Sequence, residues 1–205
     1  MAVSALSKRD AIRRAALDVF LQHGYTATSI DMILDAAGVS RQTLYNHFDG
    51  KEELFLAVIG TVLDELLGGL AERVDEVAIG DTEDLAGDLI GLGVTWVGFM
   101  LQPDFLALRR LVIGEAANFP QLARVWQERG PRRLEDRLLR AFGRLAGRGL
   151  LDLDDPIVTV ELFAHSVTML PGHFAMLQAD LAPDKEKIDR YVTAAVLMFL
   201  ARYGK

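Results

Sequence analysis

No cysteine occurs in the 205 residues, which excludes disulfide bridges and metal centres built on thiolates. Histidine is scarce: His23, His47, His165 and His173 are scattered and form no ligand cluster, so neither a metal nor a cofactor is expected. Enzyme signatures are missing too. No nucleophile, base and orienting group recur at motif spacing, and no glycine-rich phosphate loop is present, so an enzyme is not expected. The N-terminus lacks the apolar core of a signal peptide, and the longest hydrophobic runs are broken by charge or proline well short of a bilayer's thickness. The expectation is a soluble cytoplasmic protein with no membrane partner. A cationic surplus is also absent. The formal net charge is -7, and residues 1–60 carry six Lys or Arg against seven Asp or Glu, a net of -1. There is no broad basic surface, so any nucleic-acid binding must come from local placement of Arg13, Arg14, Arg41 and Lys51 and from helix N-termini.

What the chain does have is helical periodicity over most of its length, with 51% hydrophobic residues to fill a core. The spacing predicts an all-α fold: an N-terminal three-helix, helix-turn-helix domain over residues 1–53 and a helical ligand-binding and dimerisation domain over 54–205. Lys8 to His23 places Ile12, Ala15, Ala16, Val19 and Phe20 on one face and ends at Gly24. A long helix from Lys51 keeps Leu54, Phe55, Val58, Ile59, Val62, Leu66 and Leu70 in register, after a capping box at Asp49-Gly50-Lys51-Glu52. Residues 76–84 read as a linker. Helices are then predicted from Leu85 to Leu101, from Pro103 to Asn118, and from Pro120 onwards with a split at Gly130-Pro131. The last two cover 157–179 and 184–203, with Pro171-Gly172 disturbing the first.

The segment TSIDMILDAAGVSRQTLYNHFDGK, Thr28 to Lys51, carries the functional reading. Thr28 is suited to cap a short helix, with Asp31 three residues on for the return bond, and Ile30, Ile33 and Leu34 form its apolar face. Gly38 supplies the positive φ of a tight turn, and Val39 fills the space between helices. Ser40 caps the next helix, whose Leu44 and Phe48 turn inward. Arg41, Gln42, Thr43, Asn46 and His47 are left on the outer face with Tyr45 at its border, and these groups reach base edges and phosphates. Arg41 and Gln42 suit base reading, because Arg pairs bidentately with guanine and Gln with adenine.

Residues 9–58, from RDAIRRAALDVFLQHGY through AAGVS to TLYNHF, resemble the N-terminal DNA-binding domain of TetR-family transcriptional regulators. Residues 105 to about 165, FLALRRLVIGEAANFPQLARVWQERGPRR and then G-x-L-x-L-D-D-P, resemble the C-terminal region of the AefR-like branch. The resemblance implies that Tyr45 and His47 meet the DNA backbone, and that two subunits present two such helices to a palindromic double-stranded operator. Thr28, Ser40 and Lys51 complete the expected DNA-contacting set. Many relatives carry a small residue where Gln42 stands, which suggests an additional contact at this position.

In the body, Trp96, Phe99, Met100, Phe119, Trp126 and Phe163 are expected to line a site for a small, largely apolar effector, with Asn118 and His165 as polar anchors; Arg109, Arg110 and Glu115 are further candidates. The last two helices carry apolar residues on more than one face, and Phe163, Val167, Leu170, Val196 and Phe199 are the expected homodimer contacts. The competing reading is a dimeric small-molecule-binding protein without specific DNA binding. The complete Ser40 to Lys51 surface argues against it.

Overall fold

A computed structural model of the chain describes residues 7–79, 83–178 and 182–205. Among these residues the architecture is all helical, in the order α1 (Lys8–Ala27), α2 (Ile30–Ala37), α3 (Arg41–Tyr45), α4 (Lys51–Ile79), α5 (Leu85–Met100), α6 (Pro103–Glu115), α7 (Pro120–Arg129), α8 (Pro131–Gly147), α9 (Pro156–Leu177) and α10 (Lys185–Tyr203). Side chains cap most helix starts. Ser7 accepts from the Asp10 N–H on α1, Asp84 from Gly87 on α5, Asp155 from Ile157 and Val158 on α9, and Asp184 from Lys187 on α10. Each acceptor satisfies an N–H that has no partner within its helix.

Four local expectations need revision. The cap of α2 is Ser29, whose Oγ accepts from the Met32 N–H at 3.2 Å. Thr28 is 2% exposed instead, and its hydroxyl donates to the Gly24 carbonyl at 2.7 Å. The cause lies at Gly24, where φ 75° and ψ 169° kink α1 and carry its last turn on to Ala27; only glycine takes that backbone freely. At the start of α4, the Asp49 N–H donates to Glu53, not Glu52. Finally, α4 continues to Ile79 through part of the segment read as a linker; residues 80–82 of that segment lie outside the described residues. Pro171 does not interrupt α9 either, since the helix runs through it to Leu177 with Pro171 buried. By contrast Gly130-Pro131 does divide α7 from α8, with Pro131 in the first turn, where its missing N–H has no cost.

The chain forms two compact units: Met1–Glu65 with Ala107–Arg129, and Leu66–Leu106 with Gly130–Lys205. This division differs from a cut at residue 53, because α6 and α4 each contribute to both units. In the first unit, α1 packs on α2 and α3 over Ile12, Ala16, Phe20, Ile33, Leu44 and Phe48, all essentially without solvent contact. An aromatic cluster continues this core, with Phe20 edge-on to Phe55 at 4.7 Å and Phe119 edge-on to Tyr25 at 4.1 Å. Such pairs add about 0.5–1.5 kcal/mol each beyond their burial.

In the second unit, α5 packs on α9 and α10, and α8 on α9. Gly93 lets α5 approach closely: a Cβ there would stand 2.6 Å from Val192 and 2.9 Å from Val167. Phe142, Phe163 and Phe199 meet at the centre, with ring centroids 5.0 to 5.4 Å apart. The C-terminus is pinned by antiparallel pairing of Leu151 with Gly204, where the Asp152 N–H donates to the Tyr203 carbonyl at 2.7 Å.

Candidate nucleic-acid interface

The turn between α2 and α3 is made by Gly38, at φ 63° and ψ 36°, whose N–H closes α2 on the Leu34 carbonyl. A non-glycine residue would be strained in that left-handed conformation. Ser40 then starts α3 and accepts from the Thr43 N–H at 3.2 Å. Leu44 and Phe48, at 0% and 1% exposure, lock α3 to the core. The opposite face carries Arg41, Gln42, Tyr45 and Asn46 in solvent, with Thr43 and His47 half-buried at its margin. Ser40 is exposed too, and its hydroxyl pairs with that of Thr43 at 2.9 Å.

Two contacts organise this face. Gln42 Nε2 donates to Asn46 Oδ1 at 2.9 Å, one helical turn along. Arg41 Nη2 donates to Asp31 Oδ1 on α2, so that Asp31 is not in a capping box but faces α3. The hydrogen bond that Arg41 donates to Asp31, and then the Asp31 charge, hold the Arg41 guanidinium above its ordinary value.

Lys51 has a different setting from its neighbours. Its Nζ donates to the carbonyls of Tyr25 and Thr28 at 2.9 and 2.8 Å and lies 4.3 Å from the centre of the Tyr25 ring. The ammonium thus closes the C-terminal end of α1, where carbonyls lack helical partners and the helix dipole favours a cation. With those bonds Lys51 braces the support of the interface, a role the sequence reading did not assign it. Thr28, buried and bonded to Gly24, is likewise part of the support and not of the DNA-facing set.

Tyr25 is the residue that sequence reasoning passed over. Its N–H, freed by the kink at Gly24, donates to Glu115 Oε1 at 3.1 Å, and its ring is covered by Phe119. Burial, then the charges of Glu52 and Glu115, push its hydroxyl above the ordinary tyrosine value. Phe119, expected in an effector site, is therefore a packing residue of the helix-turn-helix unit. Glu115 is committed to the same contact.

The other effector residues divide between the two units. Trp126, half-buried on α7, belongs to the first. Trp96 and Phe163 belong to the second and are part of its core, at 8% and 0% exposure, while Phe99 and Met100 pack against that core. Asn118 and His165 are exposed, and His165 Nδ1 lies 2.8 Å from the Glu161 carbonyl on its own helix. Neither is a buried anchor. Arg109 is half-buried, and burial holds its guanidinium below the ordinary value.

The dimer residues need the largest correction. Phe163, Val167 and Val196 have no solvent exposure and Phe199 has 4% within the single chain, so none is available to a second subunit. Of the expected set only Leu170 is exposed, at 43%. The outward faces are Ile157, Val158, Leu162, Met169, Leu170, Phe174 and Leu177 on α9, with Leu197 and Met198 on α10. Separations of four residues (Val158 to Leu162, Leu170 to Phe174), seven (Leu162 to Met169) and three (Phe174 to Leu177) place them on one stripe of α9.

Among the described residues no group of three or more His, Asp or Glu is placed to hold a metal ion, and no single helix is long and apolar enough to cross a membrane. A displayed five-residue helix on a closed core, entered by a glycine turn from a capped helix, defines a helix-turn-helix protein of the DNA-binding class. A model of the tetR family of bacterial regulatory proteins matches residues 12–58, and one of the C-terminal domain of AefR-like transcriptional repressors matches residues 87–205. The chain belongs to the TetR family of transcriptional regulators.

Over 67 residues it is 43% identical to the HTH-type transcriptional activator FasR of Mycolicibacterium smegmatis, a match covering 33% of this chain and 31% of FasR. The likeness to that relative thus spans about a third of its length. Similarity to solved structures extends over the whole chain. A TetR-family regulator from Mesorhizobium loti MAFF303099 superposes with a TM-score of 0.88 at 30% identity, covering 97% of each chain. The flavonoid-responsive regulator FrrA gives 0.75 at 28% identity, covering 96% of this chain and 97% of FrrA.

Proposed function

We propose that this chain is a homodimeric repressor of the AefR-like branch, which binds a palindromic double-stranded operator through α3 and is released by a small, largely apolar effector. The observation that carries the reading is the division of α3 itself: Leu44 is fully buried while Arg41, Gln42, Tyr45 and Asn46 stand in solvent. A five-residue helix with that polar face contributes little to the core. Its side chains are instead the types that pair with guanine, adenine and phosphate.

Affinity from one such helix is small, and the head carries no cationic surplus, so a second subunit is needed. The outward stripe of Leu162, Met169, Leu170, Phe174, Leu197 and Met198 supplies a contact of the right chemistry, because burying it removes a large apolar surface from water. Two-fold pairing would set the recognition helices one DNA turn apart, about 34–36 Å.

An uncharged run from Leu89 to Leu101 favours an apolar effector, as does the flavonoid responsiveness of FrrA. Release then works as a population shift, in which the effector favours a conformer with the recognition helices out of register. Within the first unit, the end of α6 holds the base of the helix-turn-helix through Glu115 and Tyr25. A displacement of α6 would therefore move the interface directly.

The name of FasR contains activator and that of the C-terminal family repressor, so the sign of regulation is the part to test. Selection of bound duplexes from a randomised pool should yield an inverted repeat. A reporter driven through that repeat should rise when the regulator gene is deleted; a fall would make the protein an activator, and no enriched sequence would remove the DNA-binding reading.

A further inference from the structure

Asp31 stands where a DNA-binding surface has least use for a carboxylate. It is exposed on α2, it takes no part in the cap that Ser29 provides, and its Oδ1 accepts a hydrogen bond from Arg41 Nη2 at the start of the displayed helix. Both side chains are more than half exposed, at 55% for Arg41 and 71% for Asp31. The pair therefore adds little to stability. Its consequence lies in what Arg41 is free to do.

We infer that Asp31 is a specificity-determining residue that acts through Arg41, holding the guanidinium for a guanine edge and withholding it from phosphate. The inference rests on the reading of α3 as the DNA-contacting helix. Arg41 has five N–H donors, and one is committed to Asp31. The remainder of the fork can still meet O6 and N7 of guanine, with a side chain that is already oriented and loses less freedom on binding. A phosphate also accepts the fork bidentately, but it is an anion, unlike the neutral guanine edge, and the Asp31 carboxylate beside Arg41 repels it. To reach one, Arg41 must leave Asp31 or draw its negative charge towards the backbone, and an internally paired cation releases fewer counterions from DNA. Generic binding is penalised more than cognate binding, and discrimination rises without a new attractive contact. Gln42, tied to Asn46 at 2.9 Å, has a neutral partner and no such penalty.

The test uses the full-length protein, a duplex selected from a randomised pool by the wild type, and a scrambled duplex of the same composition. D31N removes the charge with almost no change of shape at an exposed position. Affinity for the scrambled duplex should rise about three- to fivefold, the scale of one exposed ion pair, with the cognate affinity unchanged or slightly lower. The salt slope on the scrambled duplex should steepen by about one unit. D35N makes the same charge change on the exposed side of α2 and should leave the cognate-to-scrambled ratio where it was. In an R41A background the D31N effect should shrink to that of D35N. Equal gains on both duplexes, or a D31N effect that survives in R41A, would reduce Asp31 to a general repulsive charge and overturn the inference. Failure to enrich any sequence would instead remove the DNA-binding reading, and this inference with it.

Discussion

On α3 the side chains that reach solvent are Arg41, Gln42, Tyr45 and Asn46, whereas on α9 and α10 they include the large apolar residues Leu162, Met169, Phe174, Leu197 and Met198. Both regions present their opposite face to a closed core: Leu44 and Phe48 in one case, Phe163, Val167, Val196 and Phe199 in the other. The polar outer face costs nothing in water and waits for a ligand that is itself polar. An apolar outer face of this size is unfavourable until something covers it. On the proposed reading one surface serves reversible recognition and the other assembly, and substitutions on the two faces of the same helix should have unlike consequences.

The largest effect is expected at the core of the C-terminal pair. F163A removes a ring that touches Phe142 and Phe199 and should cost about 3–5 kcal/mol in urea unfolding. L162A, the adjacent but outward residue, should stay within about 0.5 kcal/mol of wild type for a dissociated subunit. If the two substitutions are equally destabilising at concentrations where the protein is monomeric, the assignment of faces is wrong.

The next effect is on assembly. M198E and M169E place charge on the outward stripe and should weaken self-association by on the order of 3 kcal/mol, since a buried unpaired charge exceeds the ~1–3 kcal/mol of an unpaired neutral group. Sedimentation should show monomers whose helical circular dichroism is intact. Operator binding should fall in parallel. Dimers of undiminished affinity in both variants would show that another surface joins the subunits.

On the polar face the effects are smaller. R41A and Q42A should each cost roughly 1–3 kcal/mol on the selected operator and much less on a scrambled duplex, with the melting temperature unchanged. Equal losses on both duplexes would mean that these groups meet only phosphate, which would blur the contrast between a specific polar face and a merely solvated one.

The two regions also differ in how far the sequence revealed them. The helix-turn-helix is a local construction: Gly38 sets the turn, Ser40 the cap, and Leu44 with Phe48 the buried side, all within about a dozen residues. Periodicity, turn chemistry and capping, all read locally, therefore place them. On α9 and α10 the apolar residues occupy two faces, and periodicity shows that both exist without saying which is inward. That choice is made by contacts between distant segments, above all by Gly93, whose missing side chain admits Val167 and Val192. Similarly, Thr28 and Ser29 are adjacent cap residues of equal chemistry, and the kink at Gly24 decides between them by burying Thr28. The bond from Tyr25 to Glu115 joins residues 90 apart, so no local signal could announce it.

Lys51 separates cations proposed to face DNA from cations that hold the fold, and its expected effect is the smallest. As a phosphate contact it would contribute about one unit to the salt slope, since each neutralised phosphate releases about 0.9 counterion. Its Nζ is instead bonded to the Tyr25 and Thr28 carbonyls and lies over the Tyr25 ring. K51M keeps most of the aliphatic stem while removing the charge, and should lower stability by roughly 1–2 kcal/mol through the lost hydrogen bonds to α1. Binding should weaken modestly and equally on selected and scrambled duplexes, because the base of the helix-turn-helix is loosened while its outer face is unaltered. The slope of log affinity against log salt should stay at the wild-type value. A slope shallower by about one unit, with unchanged thermal stability, would return Lys51 to the DNA-facing set and show that its bonds to α1 are exchanged for a phosphate on binding.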